Sequence, residues 1–301
     1  MAFIVKPVDR AELTSALQEL RSRWPAVWPG LAHIYKACLL RLGHGVELRA
    51  KALGYRPLSS TSRRFDALLA AAMTVARLSE RRCRSAAEPS YHNRLHTADT
   101  LICMAALLSQ TTSVQDKCSE NETRPKVALR PDQSAFMLLV MLCHDVLHRG
   151  KINRFPFENE LHTIEYILPV LKRQGVALSD QNRLKHLIIH TDPAICSKNH
   201  QKTIPTPLSL DNRGLQQVLV NEADISASVL PELAQSQGHA LADEWNDDFP
   251  DLAAGVRSLQ GRLYFLENIA IFSSPQAHTL GLHSLRSKQV SELRTMLGND
   301  A

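Results

Sequence analysis

Three short segments of the chain carry histidine and carboxylate side chains at spacings that could do chemistry. In the first, the run YHNRLHTAD at residues 91–99, His92 and His96 are four residues apart and Asp99 is three further on. On a helix these side chains lie on one side. Their types suit one metal ligand, a neighbouring acid–base group and an orienting carboxylate. Polar residues exposed at a helix N-terminus would explain the same pattern equally well.

The second segment is the run MLCHDVLH at residues 141–148, where His144 and Asp145 directly follow a very apolar stretch. A carboxylate at the end of a buried helix is unfavourable unless it is paired or binds a cation. His148 is four residues after His144 and would add a second imidazole on nearly the same face. The position of this pair therefore favours a metal site.

The third segment is the run NEADISA at residues 221–227, in which Glu222 and Asp224 interrupt an apolar helical pattern over residues 215–230. Taken alone, this segment is explained as well by a solvated helix face. Its carboxylates indicate a metal site only in combination with the histidines of the other two segments.

Together the three segments supply two imidazoles and two carboxylates, namely His96, His144, Asp145 and Asp224. This nitrogen and oxygen donor set suits a borderline-to-hard divalent cation such as Zn²⁺, Fe²⁺ or Mn²⁺, and the lack of cysteine argues against a closed structural zinc site. Asp145 could also bridge to a second cation, because a carboxylate has two oxygens. Two metals about 4 Å apart can clamp a hydroxide between them, which suits hydrolysis of a phosphate ester.

Helices must position these groups, because apolar residues recur with helical periodicity almost everywhere and no convincing alternating strand is present. Helices are predicted over residues 11–24, 31–53 (one or two), 64–84, 92–109, 134–147, 158–175, 180–190, 215–230, 240–246, 252–272 and 287–297. Polar, proline-containing loops are predicted over residues 111–131 and 197–211.

Composition narrows the class of protein. The 301 residues are 44% hydrophobic and 22% charged, as in ordinary globular proteins. The longest run of large apolar side chains, Phe136–Cys143, has eight residues, whereas a membrane span needs about twenty. The net charge of +5 is too diffuse to indicate nucleic-acid binding. Six scattered cysteines without a Cys-x-x-Cys pair, and no visible secretory signal, predict a cytoplasmic protein.

At these motifs the chain resembles the HD-domain metal phosphohydrolases, and it is most similar to class I 3′,5′-cyclic-nucleotide phosphodiesterases. Residues 91–99 match that group's signature, with Thr97 in place of the usual alanine. Residues 144–150 match its His-Asp-Val-Asp-His-Pro-Gly segment, with Leu147 for aspartate and Arg149 for proline. Further matches follow in order over roughly residues 91–272, at 153–155, 157–159 with His162, 191–192 and 222–226.

The resemblance implies a compact all-α bundle around a central site with two divalent cations. The first cation, Zn²⁺ or Fe²⁺/Mn²⁺, would be bound by His96, His144, Asp145 and Asp224. Asp145 would bridge to the second, Mg²⁺ or Mn²⁺, whose waters His148 and Glu158 would orient. The hydroxide between the cations would attack phosphorus, and His92 would be the general acid that protonates the leaving 3′ oxygen.

The chain departs from the family in two places. Only nine residues separate His148 from Glu158, where the family has a further helix, so the pocket rim is cut back. The family's purine-clamping segment is not present as such. Gln260 and Phe265 are its nearest equivalents, but core packing is the favoured role of Phe265. The substrate-binding residues are therefore not assigned.

The sequence leaves three functions open. The chain could hydrolyse a cyclic nucleotide, it could be an HD-domain nucleotidase that cleaves a monoester, or it could be a catalytically silent regulatory module of the same fold. We expect a small-molecule phosphate ester as substrate, and neither nucleic acid nor membrane as a partner. We expect a helical cap or subdomain over residues 1–84 and the catalytic domain over residues 85–301. A second pair of histidines, His186 and His190, is interpreted as a pocket wall or solvent-facing helix.

Overall fold

Every element of the described residues is a helix, which confirms the all-α prediction. The computed structural model describes residues 7–55, 59–85, 88–111, 129–201 and 209–298. Its fifteen helices are α1 (Arg10–Arg23), α2 (Leu31–Arg41), α3 (Gly45–Ala52), α4 (Ser60–Ser85), α5 (Arg94–Ser109), α6 (Pro131–Cys143), α7 (Glu158–Arg173), α8 (Leu178–Ile189), α9 (Pro193–Asn199), α10 (Arg213–Val229), α11 (Pro231–Trp245), α12 (Pro250–Arg257), α13 (Leu259–Asn268), α14 (Pro275–Thr279) and α15 (Leu282–Met296).

Helix α6 forms the centre of the bundle. Residues 134–143 are all buried, so the helix is covered around its whole circumference, as expected for a helix that is apolar on all sides. It packs against α4, α5, α2 and α10. The buried Tyr35 hydroxyl of α2 donates a hydrogen bond to the Ala135 carbonyl at 2.7 Å, which fixes α2 against the start of α6.

Helices α5, α6 and α10 bring the three motifs to one place. Helix α5 packs along α10 and also against α6. His96 lies in the first turn of α5, His144 directly follows the last residue of α6, and Asp224 lies past the middle of α10. The close packing of these three helices therefore joins residues that are up to 128 positions apart in the sequence.

The N-terminal helices share this core. Leu17 of α1, Leu39 of α2 and Leu68 of α4 belong to the same hydrophobic cluster as Leu138 of α6. An ion pair between Arg21 of α1 and the buried Asp99 of α5 adds a polar contact between these parts. The predicted boundary at residue 84 stays a prediction, and the apolar core runs across it.

Two helix ends near the motifs differ from the prediction. Helix α5 begins at Arg94 rather than at residue 92, because the Asn93 side chain caps it by accepting hydrogen bonds from the backbone N–H groups of Leu95 (2.9 Å) and His96 (3.1 Å). Helix α6 ends at Cys143 rather than at residue 147, and the residues that follow form a turn. His92, Asp145 and His148 thus lie on irregular backbone.

Other differences lie away from the motifs. The predicted helix over residues 252–272 is two helices, because the Ser258 hydroxyl caps α13 by accepting from Gly261 N–H at 2.9 Å. Helix α11 begins at Pro231, nine residues before the prediction, and the short α14 was not predicted. Of the predicted loops, residues 112–128 and 202–208 lie outside the described residues. Among the helices described, none combines the length and apolarity needed to span a bilayer.

Candidate metal centre

Four of the predicted site residues converge on one small space. The ligand atoms of His96, His144, Asp145 and Asp224 all lie within 4.8 Å of one another. The His96 Nε2 atom is 3.3 Å from Asp145 Oδ2 and 3.1 Å from Asp224 Oδ1, and the His144 Nε2 atom is 3.1 Å and 3.3 Å from the same oxygens. Imidazole nitrogens and carboxylate oxygens therefore alternate around a common centre.

The two imidazole nitrogens at this centre are orphaned polar atoms. His96 Nε2 and His144 Nε2 are fully buried, and neither has a hydrogen bond of acceptable geometry within the described residues. The Nδ1 atom of His144 donates to the Met141 carbonyl at 2.7 Å, so the neutral ring has its lone pair on Nε2. Buried polar atoms without partners are rare in folded proteins. A cation at the centre would satisfy both nitrogens, so the residues present fit a divalent metal.

The charges of the cluster favour a cation as well. Burial opposes protonation of His96, yet its contacts with Asp145 and Asp224 raise its pKa to about 9. The same two carboxylates raise the pKa of the buried His144 well above its usual value. Although burial acts in the other direction, the neighbouring imidazoles lower the pKa values of both carboxyl groups. The carboxylates thus stay ionised and attract positive charge.

His92 lies beside this cluster, where Glu244 holds it. Its Nδ1 donates to Glu244 Oε1 at 2.5 Å. The other oxygen of Glu244 accepts from the backbone N–H groups of Tyr91 at 2.8 Å and His92 at 2.9 Å. Burial alone would raise the pKa of Glu244, but these hydrogen bonds lower it. An ionised carboxylate therefore fixes both the orientation of the ring and the nitrogen that carries the proton.

His148 lies against the other side of this arrangement. Its ring stacks on the His92 ring with a centroid separation of 3.6 Å. Its Nδ1 accepts a hydrogen bond from the Gly150 N–H at 3.1 Å, and burial followed by the nearby His92 lowers its pKa to about 3. His148 is therefore a neutral ring that faces the predicted acid. Its predicted role with the waters of a second cation stays a prediction.

Gly150 allows Glu244 to reach His92. Its φ of +73° lies in the left-handed region, and a Cβ atom there would lie 2.6 Å from Glu244 Cγ and 3.2 Å from Pro89 Cβ. A side chain would thus strain the backbone and displace the carboxylate. The backbone conformation and the close approach of Glu244 therefore explain why residue 150, at the end of the HDVLHRG motif, is a glycine.

The structure places Glu158 at the start of α7, where Arg154 engages it. The carboxylate accepts from the Arg154 backbone N–H at 2.8 Å and from its guanidinium Nε at 3.0 Å. Burial, followed by the nearby charges of Asp192 and Asp145, raises the pKa of Glu160 to about 7. Its partner is Asn153, whose amide donates to it at 3.0 Å.

Several residues singled out in the sequence lie outside the cluster. Asp99 is fully buried but accepts from Arg21 and from Gln237, so it does not orient His92. His190 Nδ1 donates to the His186 carbonyl at 2.7 Å, and neither ring joins a metal-ligand group of the described residues. His162 is exposed on α7.

Sequence reasoning missed two carboxylates of the site. Glu244 lies within an acidic stretch at residues 243–251, whose composition is typical of a solvated face, and Glu160 lies two residues beyond the motif glutamate. The signal available for Glu244 was its position among apolar residues near the end of a helical segment. Its contact with His92, 152 residues away, is visible only in the fold.

The described residues thus form an all-helical protein with a buried cluster of two imidazoles and two carboxylates that could hold a divalent metal. In a comparison with family models, residues 91–166 match the model described as 3′5′-cyclic nucleotide phosphodiesterase. This confirms the resemblance over the segment that contains His92, His96, His144, Asp145 and His148. Asp224 lies outside the matched segment. No curated protein matches the chain.

Proposed function

We propose that the protein is a divalent-cation-dependent phosphodiesterase that hydrolyses a 3′,5′-cyclic nucleotide to the 5′-nucleotide. The observation that carries this proposal is the buried group of His96, His144, Asp145 and Asp224, in which two imidazole nitrogens lack hydrogen-bond partners. The family match over residues 91–166 supports the choice of substrate class.

The four side chains would hold the first cation, with Zn²⁺, Fe²⁺ or Mn²⁺ suited to this donor set. Asp145 would also help to hold a second cation, Mg²⁺ or Mn²⁺. When bound, such cations supply a Lewis acid and lower the pKa of a water molecule so that it can attack phosphorus near neutral pH.

His92 would supply the proton that the leaving 3′ oxygen needs. Its Nδ1–H is fixed by Glu244, so the proton would be transferred from Nε2. The Glu244 carboxylate stabilises the protonated ring electrostatically, and it keeps the ring in one tautomer. The stacked His148 ring limits rotation of His92 on one side. The proton donor is thus held in position before the substrate binds.

A second candidate function is hydrolysis of a nucleoside monophosphate. The observation that favours it is the short irregular segment between His148 and α7, which contains no helix. With fewer residues beside it, the site would accept substrates of more varied shape. The same cluster would then act on a monoester.

A hydrolysis screen with Mn²⁺, Mg²⁺ or Zn²⁺ tests the proposal. The substrates are 3′,5′-cyclic AMP and cyclic GMP, the 5′-monophosphates, and bis(p-nitrophenyl) phosphate, with Asp224→Asn as the metal-deficient control. We expect 5′-nucleotide products from the cyclic substrates and none from the control. Release of inorganic phosphate from monoesters without any cyclic turnover would select the second candidate, and metal-loaded protein without hydrolysis would contradict both.

A further inference from the structure

A cavity of about 570 Å³ lies apart from the metal centre. It shares no lining residue with the four-residue cluster or with His92 and Glu244. Helices α4, α8 and α10 all begin at this cavity, because Arg63, Ser179 and Arg213 of their first turns line it. Three helix N-termini therefore meet around one space, and each presents partial positive charge.

Arginine side chains dominate the lining. Four arginines (Arg63, Arg64, Arg183 and Arg213) stand against two aspartates (Asp180 and Asp211), which leaves two uncompensated positive charges. Small molecules with negative charge bind at such surfaces through charge-assisted hydrogen bonds from planar guanidinium groups.

One of these arginines is rigidly fixed. The Arg64 guanidinium donates to both oxygens of Asp180, from Nε at 2.8 Å and from Nη2 at 2.9 Å. It also pairs with the buried Asp132 and lies 5.6 Å from the centroid of the Phe136 ring. Arg64 is therefore a fixed part of the cavity lining, and the two aspartates largely balance its charge.

The other arginines are available to a ligand. Arg63 and Arg213 are exposed, and neither pairs with a carboxylate among the residues that the structure describes. Arg183 lies 3.9 Å from Asp211, at the limit of an ion pair, and its guanidinium is 5.7 Å from the Phe136 ring centroid. All three guanidinium groups line the same cavity, and none of them forms a close ion pair with a carboxylate of the described residues.

The N-terminus of helix α8 has no side-chain cap. Its N-cap is Ala177, which has no side chain to accept from the first N–H groups. The first N–H groups of a helix have no partner within the helix and bind anions well. Aliphatic groups of Leu68 and Val176 complete the lining and suit the uncharged part of an organic ligand.

The geometry points to a binding site in this cavity for a small molecule that carries a diphosphate or a comparable multiply charged anionic group. Three lightly paired arginines and the uncapped N-terminus of α8 would together balance more charge than a single phosphate monoanion offers. This site is independent of the proposed hydrolysis, because it uses none of the residues of the metal centre.

Calorimetric titration with inorganic pyrophosphate tests the site. The protein is stripped of metal with a chelator and dialysed, so that pyrophosphate cannot bind through a cation at the metal centre. We expect one pyrophosphate per chain, with affinity that falls as ionic strength rises. The double variant Arg63→Gln/Arg213→Gln should weaken binding by about tenfold or more, since it removes two guanidinium groups that can form charge-assisted hydrogen bonds.

The matched control is Arg77→Gln/Arg81→Gln, which removes two exposed arginines from the far half of α4. It should bind pyrophosphate as the wild type does, and so should Asp145→Ala. The single variants Arg63→Gln and Arg213→Gln, each expected to weaken binding severalfold, replace the double variant if it does not fold. Absence of binding to the metal-free wild type, or equal weakening in the variant and its control, would overturn the assignment.

Discussion

Among single residues, Asp145 makes the contacts on which the proposed metal centre depends most. Its Oδ2 atom faces both His96 Nε2 and His144 Nε2, and its second oxygen remains for another cation. We predict that Asp145→Ala loses bound metal and hydrolytic activity together, because the cluster then lacks one of its two negative charges. Metal content by elemental analysis and turnover are measured on the same sample. The exposed Asp247→Ala is the control, and full metal content in Asp145→Ala would refute the assignment.

A substitution of His92 should slow the chemical step without loss of the bound metal. His92 contacts Glu244 and His148 but is not one of the four clustered ligands. We predict that His92→Ala retains its metal yet turns over about 10²–10⁴-fold more slowly, the usual contribution of a general acid. The exposed His162→Ala should behave as wild type. If His92→Ala has an unchanged kcat, another group protonates the leaving oxygen.

A substitution of Gly150 tests whether Glu244 positions the His92 ring. A Cβ at residue 150 would overlap Glu244 Cγ at 2.6 Å. We predict that Gly150→Ala lowers kcat by at least about tenfold without loss of metal, because a displaced Glu244 no longer holds the His92 ring. The control is Gly238→Ala, within α11, where nothing lies within 4 Å of the new Cβ. Equal kcat in both variants would show that Glu244 does not position the acid.

At the element scale, His44 links stability to pH. It is buried before α3 and contacts Ser134 Oγ of α6 at 2.8 Å. Burial lowers its pKa to about 4, although Asp132 partly opposes this shift. The unfolded chain has the ordinary pKa of about 6.5, so protonation favours unfolding below that value. Stability attributable to His44 is therefore complete above pH 6.5 and is lost as the pH falls toward 4.

We predict that His44→Gln flattens this part of the pH profile. The lowering of this pKa from about 6.5 to about 4 corresponds to roughly 3 kcal/mol of unfolding free energy in total, of which about 2 kcal/mol is lost between pH 7 and pH 5. Urea denaturation at pH 7 and pH 5 measures it, with the exposed His33→Gln as the control. A wild type and a His44→Gln variant that lose equal stability between the two pH values would contradict the prediction.

Helices were predictable where an apolar stripe was long, and their ends were not. The apolar stripe of α4 and the continuous apolar run of α6 each predicted a helix whose ends lie within about four residues of the observed ones. The ends depended on single side chains: Asn93 starts α5 two residues later than periodicity suggests, and Ser258 divides a long stripe into two helices. Such caps are local hydrogen bonds that hydrophobic periodicity does not encode.

At the scale of the whole molecule, the four clustered side chains could be singled out from the sequence only as a set. His144 and Asp145 follow a buried apolar run, where an unpaired carboxylate is unfavourable. His96 was marked by its spacing from His92, and Asp224 gained weight only beside the histidines. Glu244 and Glu160 escaped this reasoning because acidic residues are common on helix surfaces. Only the packing of α11 beside residues 91–92 buries Glu244 and gives it a partner.

The N-terminal helices should be inseparable from the rest. Leu39 and Leu68 cover apolar surface of α6 and α5, so their removal would expose it to water. We predict that a chain starting at residue 85 fails to fold, whereas the full chain gives a cooperative thermal transition. Circular dichroism and near-ultraviolet spectra compare the two. A cooperative, monomeric fragment of residues 85–301 would show that the helices before residue 85 form a separate unit.

The central claim is that His96, His144, Asp145 and Asp224 jointly bind a divalent cation. Anomalous X-ray diffraction from crystals grown with Mn²⁺ or Zn²⁺, recorded at the absorption edge of the added metal, tests it most directly. We expect an anomalous peak bonded to both Nε2 atoms and to a carboxylate oxygen of each aspartate, at roughly 2.0–2.2 Å. Metal-saturated crystals without a peak among these four side chains would contradict it.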